Sequence, residues 1–301
     1  MPVVPTSFKY KIVGNNLLTD FSESDILRDI ALRIQHGRRL IIPIGLPQAG
    51  KSMFIASLIA YAFKRKVSGK DGDNSCNFDH VFPREYSGVK QITDALDNND
   101  VLPSTRSNEI TIIDLDMKSR YRKRSIQVTL IDLAGEDIER LIGIRDDTEG
   151  TAKKIEKILD ACVAQRAIFS IITPVDVNIS KIGEVTDFDT KEDSEMRAFI
   201  SKLKINNPRL FNMTKFLFLI SKWDKLPKLC GSAKFLELHR PQLYTEYLDS
   251  GRHGLIPYTV GTVTGSTIIK IDLRSPKNFW YTLYRWCTGQ HVLPWYIRLF
   301  S

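Results

Sequence analysis

The chain alternates short apolar runs with longer stretches whose apolar residues recur at helical spacing, the rhythm of strands alternating with helices. Ser24 to Ile34 places Ile26, Leu27, Ile30 and Ile34 on one face, with Ser24 as a candidate cap. Residues 38–44, Arg38-Arg39-Leu40-Ile41-Ile42-Pro43-Ile44, contain an apolar run suited to a short buried parallel strand, in which only Pro43 fits poorly. Met53 to Phe63 is rich in Ile, Ala and Leu and free of Gly and Pro, which predicts a helix over 52–66.

The rhythm then breaks. Residues 67–104 are polar, with many Gly, Asp and Asn and no strong periodicity, a long excursion of the kind that compact domains keep for function. Two strands follow, an alternating one from Glu109 to Met117 and one from Ser125 to Leu133, and the short turn between them predicts an antiparallel hairpin. Thr151 to Gln165 predicts a helix and Ala167 to Thr173 a buried strand. Residues 174–190 read as an irregular, increasingly acidic exposed linker before a helix from Lys191 to Leu203. Phe216 to Ile220 is a further strand, Ala233 to Leu248 a helix interrupted at Pro241, and Ile256 to Val263 a strand. Ser275-Pro276 opens a last helix through Trp286, with Ser as cap and Pro at the first position. No internal repeat is visible. The succession predicts an α/β fold, one domain built on an open sheet with helices on both faces.

Composition narrows the class. The 301 residues are 43% apolar and 26% charged, the balance of a soluble globular protein with one sizeable core or two small ones. No apolar run approaches the roughly 20 residues needed to span a bilayer. Met1-Pro2-Val3-Val4-Pro5 lacks the features of a signal peptide. Cys76, Cys162, Cys230 and Cys287 share no metal-ligand spacing and read as reduced thiols, so a cytoplasmic location is expected. The net charge of +8 is uneven: Lys118-Ser119-Arg120-Tyr121-Arg122-Lys123-Arg124 holds five basic residues in seven. A solvated hairpin turn is its simplest reading, and an anionic partner the other. No nucleic-acid-binding motif accompanies it, and no nucleic-acid partner is expected.

Gly45-Leu46-Pro47-Gln48-Ala49-Gly50-Lys51-Ser52 is a complete phosphate-binding pattern, G-x-x-x-x-G-K-[ST], between a predicted strand and a predicted helix. That succession gathers backbone N–H groups and a helix N-terminus around one point, and Lys51 adds a full positive charge. Two later segments choose the chemistry. Asp132-Leu133-Ala134-Gly135 closes a strand, where a carboxylate can hold the water shell of Mg2+ opposite the Ser52 hydroxyl. Gly135 leaves room for a backbone N–H to approach a γ-phosphate. Ser221-Lys222-Trp223-Asp224 closes another strand. Asp224 there can accept from N1–H and the exocyclic amine of guanine, and adenine offers neither donor at those positions. The stem of Lys222 can lie along the base plane.

In this order GLPQAGKS, DLAGE and SKWD resemble the Ras-like, translation-factor-related (TRAFAC) class of P-loop GTPases, with similarity to divergent bacterial conflict- or effector-associated GTPases. The resemblance covers residues 38–288, leaving 1–37 as an N-terminal extension with a helix and 289–301 as an apolar tail. It implies a three-layer P-loop NTPase fold whose six-stranded, mostly parallel sheet has one antiparallel strand. It also implies Mg2+ as cofactor, GTP or GDP as ligand, and a protein effector or regulator, with homo- or hetero-dimerisation through the switch regions a further option. Gly45, Gln48, Ala49, Gly50, Lys51, Ser52 and Met53 would surround the phosphates, with Lys51 on the β- and γ-phosphates and Ser52 on Mg2+. Asp132 and Gly135 match the second switch. The first switch would supply a Thr that contacts Mg2+ and senses the γ-phosphate; Thr105 is the preferred candidate and Ser104 its competitor.

Ser221, Lys222 and Asp224 match the guanine-reading turn. Ser232-Ala233-Lys234 spells the family's last triplet but opens a helix too soon after Asp224. Thr259-Val260-Gly261, after the following strand, is assigned instead, with Val260 and Gly261 beside the base and Ser232 as a helix cap.

Two departures bear on mechanism. Glu136 stands where many relatives carry Gln to orient the attacking water. A carboxylate could orient or deprotonate water, yet it faces the negative γ-phosphate and is repelled unless compensated. Ser221 replaces the more usual Asn or Thr and is expected to lose a buttress for the phosphate loop while keeping a hydroxyl. Both predict slow unaided hydrolysis, and Arg84, Arg106 and Arg140 are candidate donors of an assisting guanidinium. The apolar tail from Val292 to Phe300 is expected to fold back on the domain, with docking on a partner or a membrane interface as the alternative. A slow GTP-dependent switch, a GTP-binding scaffold without turnover, and an ATPase or nucleotide kinase are the functions left open; Asp224 argues against the last.

Overall fold

In the computed structural model, residues 23–68, 76–80, 110–119, 122–148, 150–179, 181–226, 230–249, 254–264, 267–271 and 273–292 are described. Thr105, Ser104, Arg84, Arg106 and the tail beyond Val292 lie outside them. In chain order the strands are β1 (Arg39–Ile44), β2 (Cys76–His80), β3 (Ile110–Ser119), β4 (Ser125–Leu133), β5 (Ile168–Pro174), β6 (Lys215–Ser221), β7 (Gly254–Pro257), β8 (Gly261–Thr264) and β9 (Thr267–Ile271). The helices are α1 (Glu23–Gln35), α2 (Lys51–Ser68), α3 (Gly135–Leu141), α4 (Thr151–Ala164), α5 (Asp187–Asn206), α6 (Pro208–Phe211), α7 (Ser232–His239), α8 (Pro241–Asp249) and α9 (Arg274–Thr288), with a 3₁₀ turn at Trp223–Lys225.

Seven strands form the main sheet in the order β2-β3-β4-β1-β5-β6-β7. β1 pairs in parallel with β4 and β5, β5 with β6, and β6 with β7. β3 runs antiparallel between β2 and β4, from Ile110 opposite Leu133 to Lys118 opposite Ser125. The mostly parallel sheet with one antiparallel strand is as expected, with β2 added at the edge from a segment that carries no periodic signal. The register of β1 with β4 ends at Ile41, so Pro43 lies where β1 is paired only with β5 and its missing N–H removes no bond on the other side.

Side chains alternate strictly across the sheet. Ile41 faces the layer of α2 and α9, where Phe54, Leu58, Phe279, Trp280 and Leu283 are buried. Leu40, Ile42 and Ile44 face the other layer, with Ile30 of α1, Ile158 and Leu159 of α4, and Phe199 of α5. α1 packs into that second layer and is also held by a buried ion pair, Arg33 Nε to Asp114 Oδ1 at 3.0 Å.

Four local expectations change. The strand read over Ile256–Val263 is two: β7 joins the main sheet, and β8 pairs with β9 in a separate hairpin. Ser275 does not cap the last helix, whose cap position is Leu273; its hydroxyl accepts the Thr259 N–H at 3.1 Å. The basic turn is not simply solvated. Arg124 donates to Thr288 O and Arg122 to His291 O, each at 3.0 Å, so two arginines sit at the negative end of α9. The 174–190 stretch is exposed over much of its length, as expected, but Asp176 and Asp189 are buried and α5 already starts at Asp187 behind a Thr186–Asp189 capping box.

Candidate functional site

β1 is central, with β4 on one side and β5 on the other, and the chain crosses between these sides beyond their C-terminal ends. An open parallel sheet forms its ligand crevice at such a switch point. The 45–50 loop occupies it. Phe54 N–H reaches Gly50 O at 2.9 Å and Ala49 N–H reaches Leu46 O at 3.1 Å, closing the loop onto the first turn of α2. Gly50 has φ +89°, which a side chain would strain, and Gln48 accepts a left-handed φ of +67° without being glycine. Strain at a tight loop of this kind marks a site that the surrounding structure holds in place.

Lys51 is the first residue of α2 and is buried. Among the described residues its Nζ has no hydrogen bond, and its ion-pair contact is Asp132 Oδ1 at 3.2 Å. A buried ammonium aimed into a loop of backbone donors fits a polyphosphate. Ser52 follows on the same turn, and Asp132 stands at the end of β4. Among the described residues no group of three or more His, Cys, Asp or Glu forms a metal cage. A hydroxyl and a carboxylate at this place suit Mg2+, a hard cation completed by phosphate oxygens and water.

Gly135 opens α3 pressed against the loop. A Cβ there would lie 2.7 Å from Pro47 N and 2.9 Å from Leu46 C, so this glycine is required by contact between two backbones. Ser221 overturns the expectation of a lost buttress: its hydroxyl donates to Ala49 O at 2.6 Å, bracing the phosphate loop from the end of β6. The chain after Gly135 is helical over Gly135–Leu141. Glu136 on that helix is bound by Arg145 at 2.7 Å, and Arg145 also lies 3.7 Å from Glu139. Arg140 is engaged differently, with Nη1 donating to the fully buried Asp137 at 2.8 Å.

Beyond β6 the chain turns sharply. Lys222 takes φ +54°, and Asp224 lies exposed in the 3₁₀ turn. Trp223 N–H reaches Tyr258 O at 3.4 Å, and the Tyr258 hydroxyl is 2.6 Å from Ser57 Oγ on α2. The turn beyond β6, the segment leading to Val260, and α2 are thus joined. Val260 packs partly buried against the α2–α9 layer, and Gly261 begins β8. Ser232 does open α7, but the cap position is Gly231.

Beneath this turn lies a polar cluster that sequence reading missed. Arg240, fully buried, donates to Thr173 Oγ1 at 3.0 Å, to Pro174 O at 2.9 Å and to the carboxylate of Asp189. His239 Nδ1 contacts the same carboxylate at 3.0 Å, and its Nε2 accepts from Gly183 N–H at 3.2 Å. Nε2 therefore carries no proton, and the ring is the neutral Nδ1–H tautomer. Burial alone would raise the Asp189 pKa; Arg240, His239 and the Thr186 N–H outweigh it and hold it below the ordinary carboxylate range. Glu192 is pushed up to about 7 by burial. Spacing at 189, 192, 193 and 196 would have revealed this buried helix face, but the acidic side chains argued for solvent.

The phosphate loop at the switch point and the aspartate turn beyond β6 define a P-loop nucleotide-binding domain of the GTPase class. The family model described as Double-GTPase 1 matches residues 42–278, and the chain belongs to that family. No curated protein matches it. Among solved structures it is similar to the Roco2 RocCORdC protein of Methanosarcina barkeri bound to GDP, at 12% identity and TM-score 0.36, covering 85% of this chain and 50% of that one. The chain thus spans half the length of that protein. The signal recognition particle receptor SRb-GTP/SRX complex of Chaetomium thermophilum matches at 13% identity and TM-score 0.42, covering 82% of this chain and 97% of that one. Toc33 of Arabidopsis thaliana in complex with Mg2+ and GMPPNP matches at 11% identity and TM-score 0.41, covering 91% and 96%.

Proposed function

We propose that this chain is a guanine-nucleotide switch that binds GTP with Mg2+ and hydrolyses it slowly to GDP, faster when a protein regulator engages it. The observation that carries this reading is the buried Lys51 ammonium, 3.2 Å from Asp132 at the mouth of a loop braced by Ser221. Lys51 holds the β- and γ-phosphates, with Gly45, Gln48, Ala49, Gly50 and Met53 shaping the cradle. Ser52, Asp132 and, from outside the described residues, Thr105 would hold Mg2+, which supplies positive charge against the phosphates. Asp224 reads guanine, with Lys222 and the 259–261 backbone around the base. Glu136 places the attacking water, and Arg145 offsets its repulsion from the γ-phosphate.

We assign the nucleotide-dependent change to the 85–105 and 135–150 segments, and engagement of a protein effector or a second GTPase domain to that change. A cytoplasmic location is part of the proposal. It is supported by the free thiols of Cys162, Cys230 and Cys287. Among the described residues no helix is long and apolar enough to cross a membrane. A scaffold that binds GTP without turnover is the second reading, favoured by the ion pair that occupies Glu136.

Affinity for GTP beside ATP, with single-turnover hydrolysis, tests both. Wild type should prefer GTP by at least a hundredfold and Asp224→Asn should lose that preference. Equal ATP binding, unchanged by Asp224→Asn, refutes guanine recognition. Tight GTP binding with no GDP over hours selects the scaffold.

A further inference from the structure

Tyr258, the residue after β7, is fully buried, and its bonds run to several elements around the candidate nucleotide site. Its N–H donates to Ile220 O at 2.7 Å and its carbonyl accepts the Trp223 N–H at 3.4 Å, so its backbone spans both sides of Ser221-Lys222. Its ring meets Phe54 of α2 edge-on, with centroids 5.0 Å apart, and Phe54 meets Phe279 of α9 in the same way. Its hydroxyl lies 2.6 Å from Ser57 Oγ on α2, a buried contact between residues 201 positions apart.

Counting protons gives that contact a direction. A serine hydroxyl has one proton, and Ser57 gives it to Phe54 O at 2.7 Å, back along its own helix. Tyr258 is therefore the donor to Ser57, and a buried phenol needs such a partner. Ser57 lies within two turns of Lys51 on α2. On the other side, Thr259 N–H donates to Ser275 Oγ at 3.1 Å, and Val260 and Gly261 come next. One hydroxyl thus connects the helix that begins at the 45–50 loop with the 259–261 backbone.

We propose that Tyr258 is a positioning residue for guanine recognition. Its hydroxyl, held on α2, sets the 259–261 backbone against the Lys222–Asp224 turn, so that the base and the phosphates of one nucleotide are gripped at a fixed separation. The inference rests on the guanine-site reading above. Without the hydroxyl the ring would keep its aromatic neighbours, but the backbone beside the base would lose its tie to α2. Ordering that backbone would then oppose binding.

Tyr258→Phe keeps the buried ring and removes the hydroxyl alone. With Mg2+ present, GTP and GDP should each bind it about tenfold more weakly, the worth of one buried hydrogen bond. ATP, held by its phosphates without base recognition, should change by less than about twofold, so the preference for guanine narrows. A hydroxyl that served only folding would leave that preference unchanged. Ser57→Ala should reproduce the loss from the α2 side, and the double variant should lose no more, because both remove one bond. Without nucleotide, amide exchange at Trp223 and Thr259 should quicken in Tyr258→Phe, a measure of position that needs no ligand. An unchanged guanine preference in Tyr258→Phe, additive losses in the double variant, or unaltered exchange overturns the inference alone. A wild type that binds ATP as tightly as GTP overturns the guanine reading and the inference with it.

Discussion

The Ser221 hydroxyl, at the end of β6, donates a 2.6 Å hydrogen bond to the Ala49 carbonyl inside the phosphate loop. The two residues are 172 positions apart, and the bond is buried. It ties the end of β6, just before the Lys222–Asp224 turn, to the 45–50 loop at the start of α2. Ser221→Ala should cost about 1–2 kcal/mol of stability, because a buried carbonyl loses its donor. GTP affinity should fall with it, and urea unfolding beside a binding isotherm checks both.

Gly135→Ala should be worse. The added Cβ would sit 2.7 Å from Pro47 N, and backbone cannot step aside as a flexible side chain can. Overpacking of this kind costs roughly 1–3 kcal/mol. The displaced atoms belong to the phosphate loop, so thermal melting should show lower stability, and stabilisation by added GTP should vanish.

Arg145→Ala tests the charge offset at Glu136. The pair is more than a third exposed, so stability should change by well under about 1 kcal/mol. Glu136 would then face the γ-phosphate uncompensated. Affinity for GTP should drop several-fold while affinity for GDP stays close to wild type. Equal losses for both nucleotides would refute the role.

Glu192 should leave a signature in the pH dependence of folding. Its carboxyl is pushed up to about 7 by burial, opposed by Arg240, Lys222 and the Thr173 hydroxyl and assisted by Glu195. Between the ordinary glutamate value and 7 the folded chain keeps a proton that the unfolded chain has released. Stability therefore falls as pH rises through that window, by roughly 3 kcal/mol at most. Glu192→Gln should flatten this slope and be the more stable protein at pH 8, which chemical denaturation at pH 5 and pH 8 will measure.

Much of the site was legible because it is local. The phosphate loop is eight consecutive residues between a strand and a helix, so its pattern can be read without knowing what packs against it. Asp132 and Asp224 stood out because one lies at the end of an apolar run that reads as a strand and the other shortly after such a run. β2 escaped notice since an edge strand of five residues, Cys76–His80, needs no alternating pattern. The start of α5 was misplaced for a different reason. Its acidic residues signal solvent until a buried arginine, 51 residues away, is known to face them.

The sequence alone determined most of the alternation of strand and helix and the phosphate-binding pattern from Gly45 to Ser52. Backbone propensity and hydrophobic period act over a few residues and leave their mark there. Tertiary structure decided that Ser221 braces Ala49, that Arg145 answers Glu136, and that Arg240 meets Asp189. Those pairings depend on which strand ends lie side by side and which helix is packed beneath them. That is settled only when the sheet has closed around its two apolar layers and shut water away from the polar groups between them.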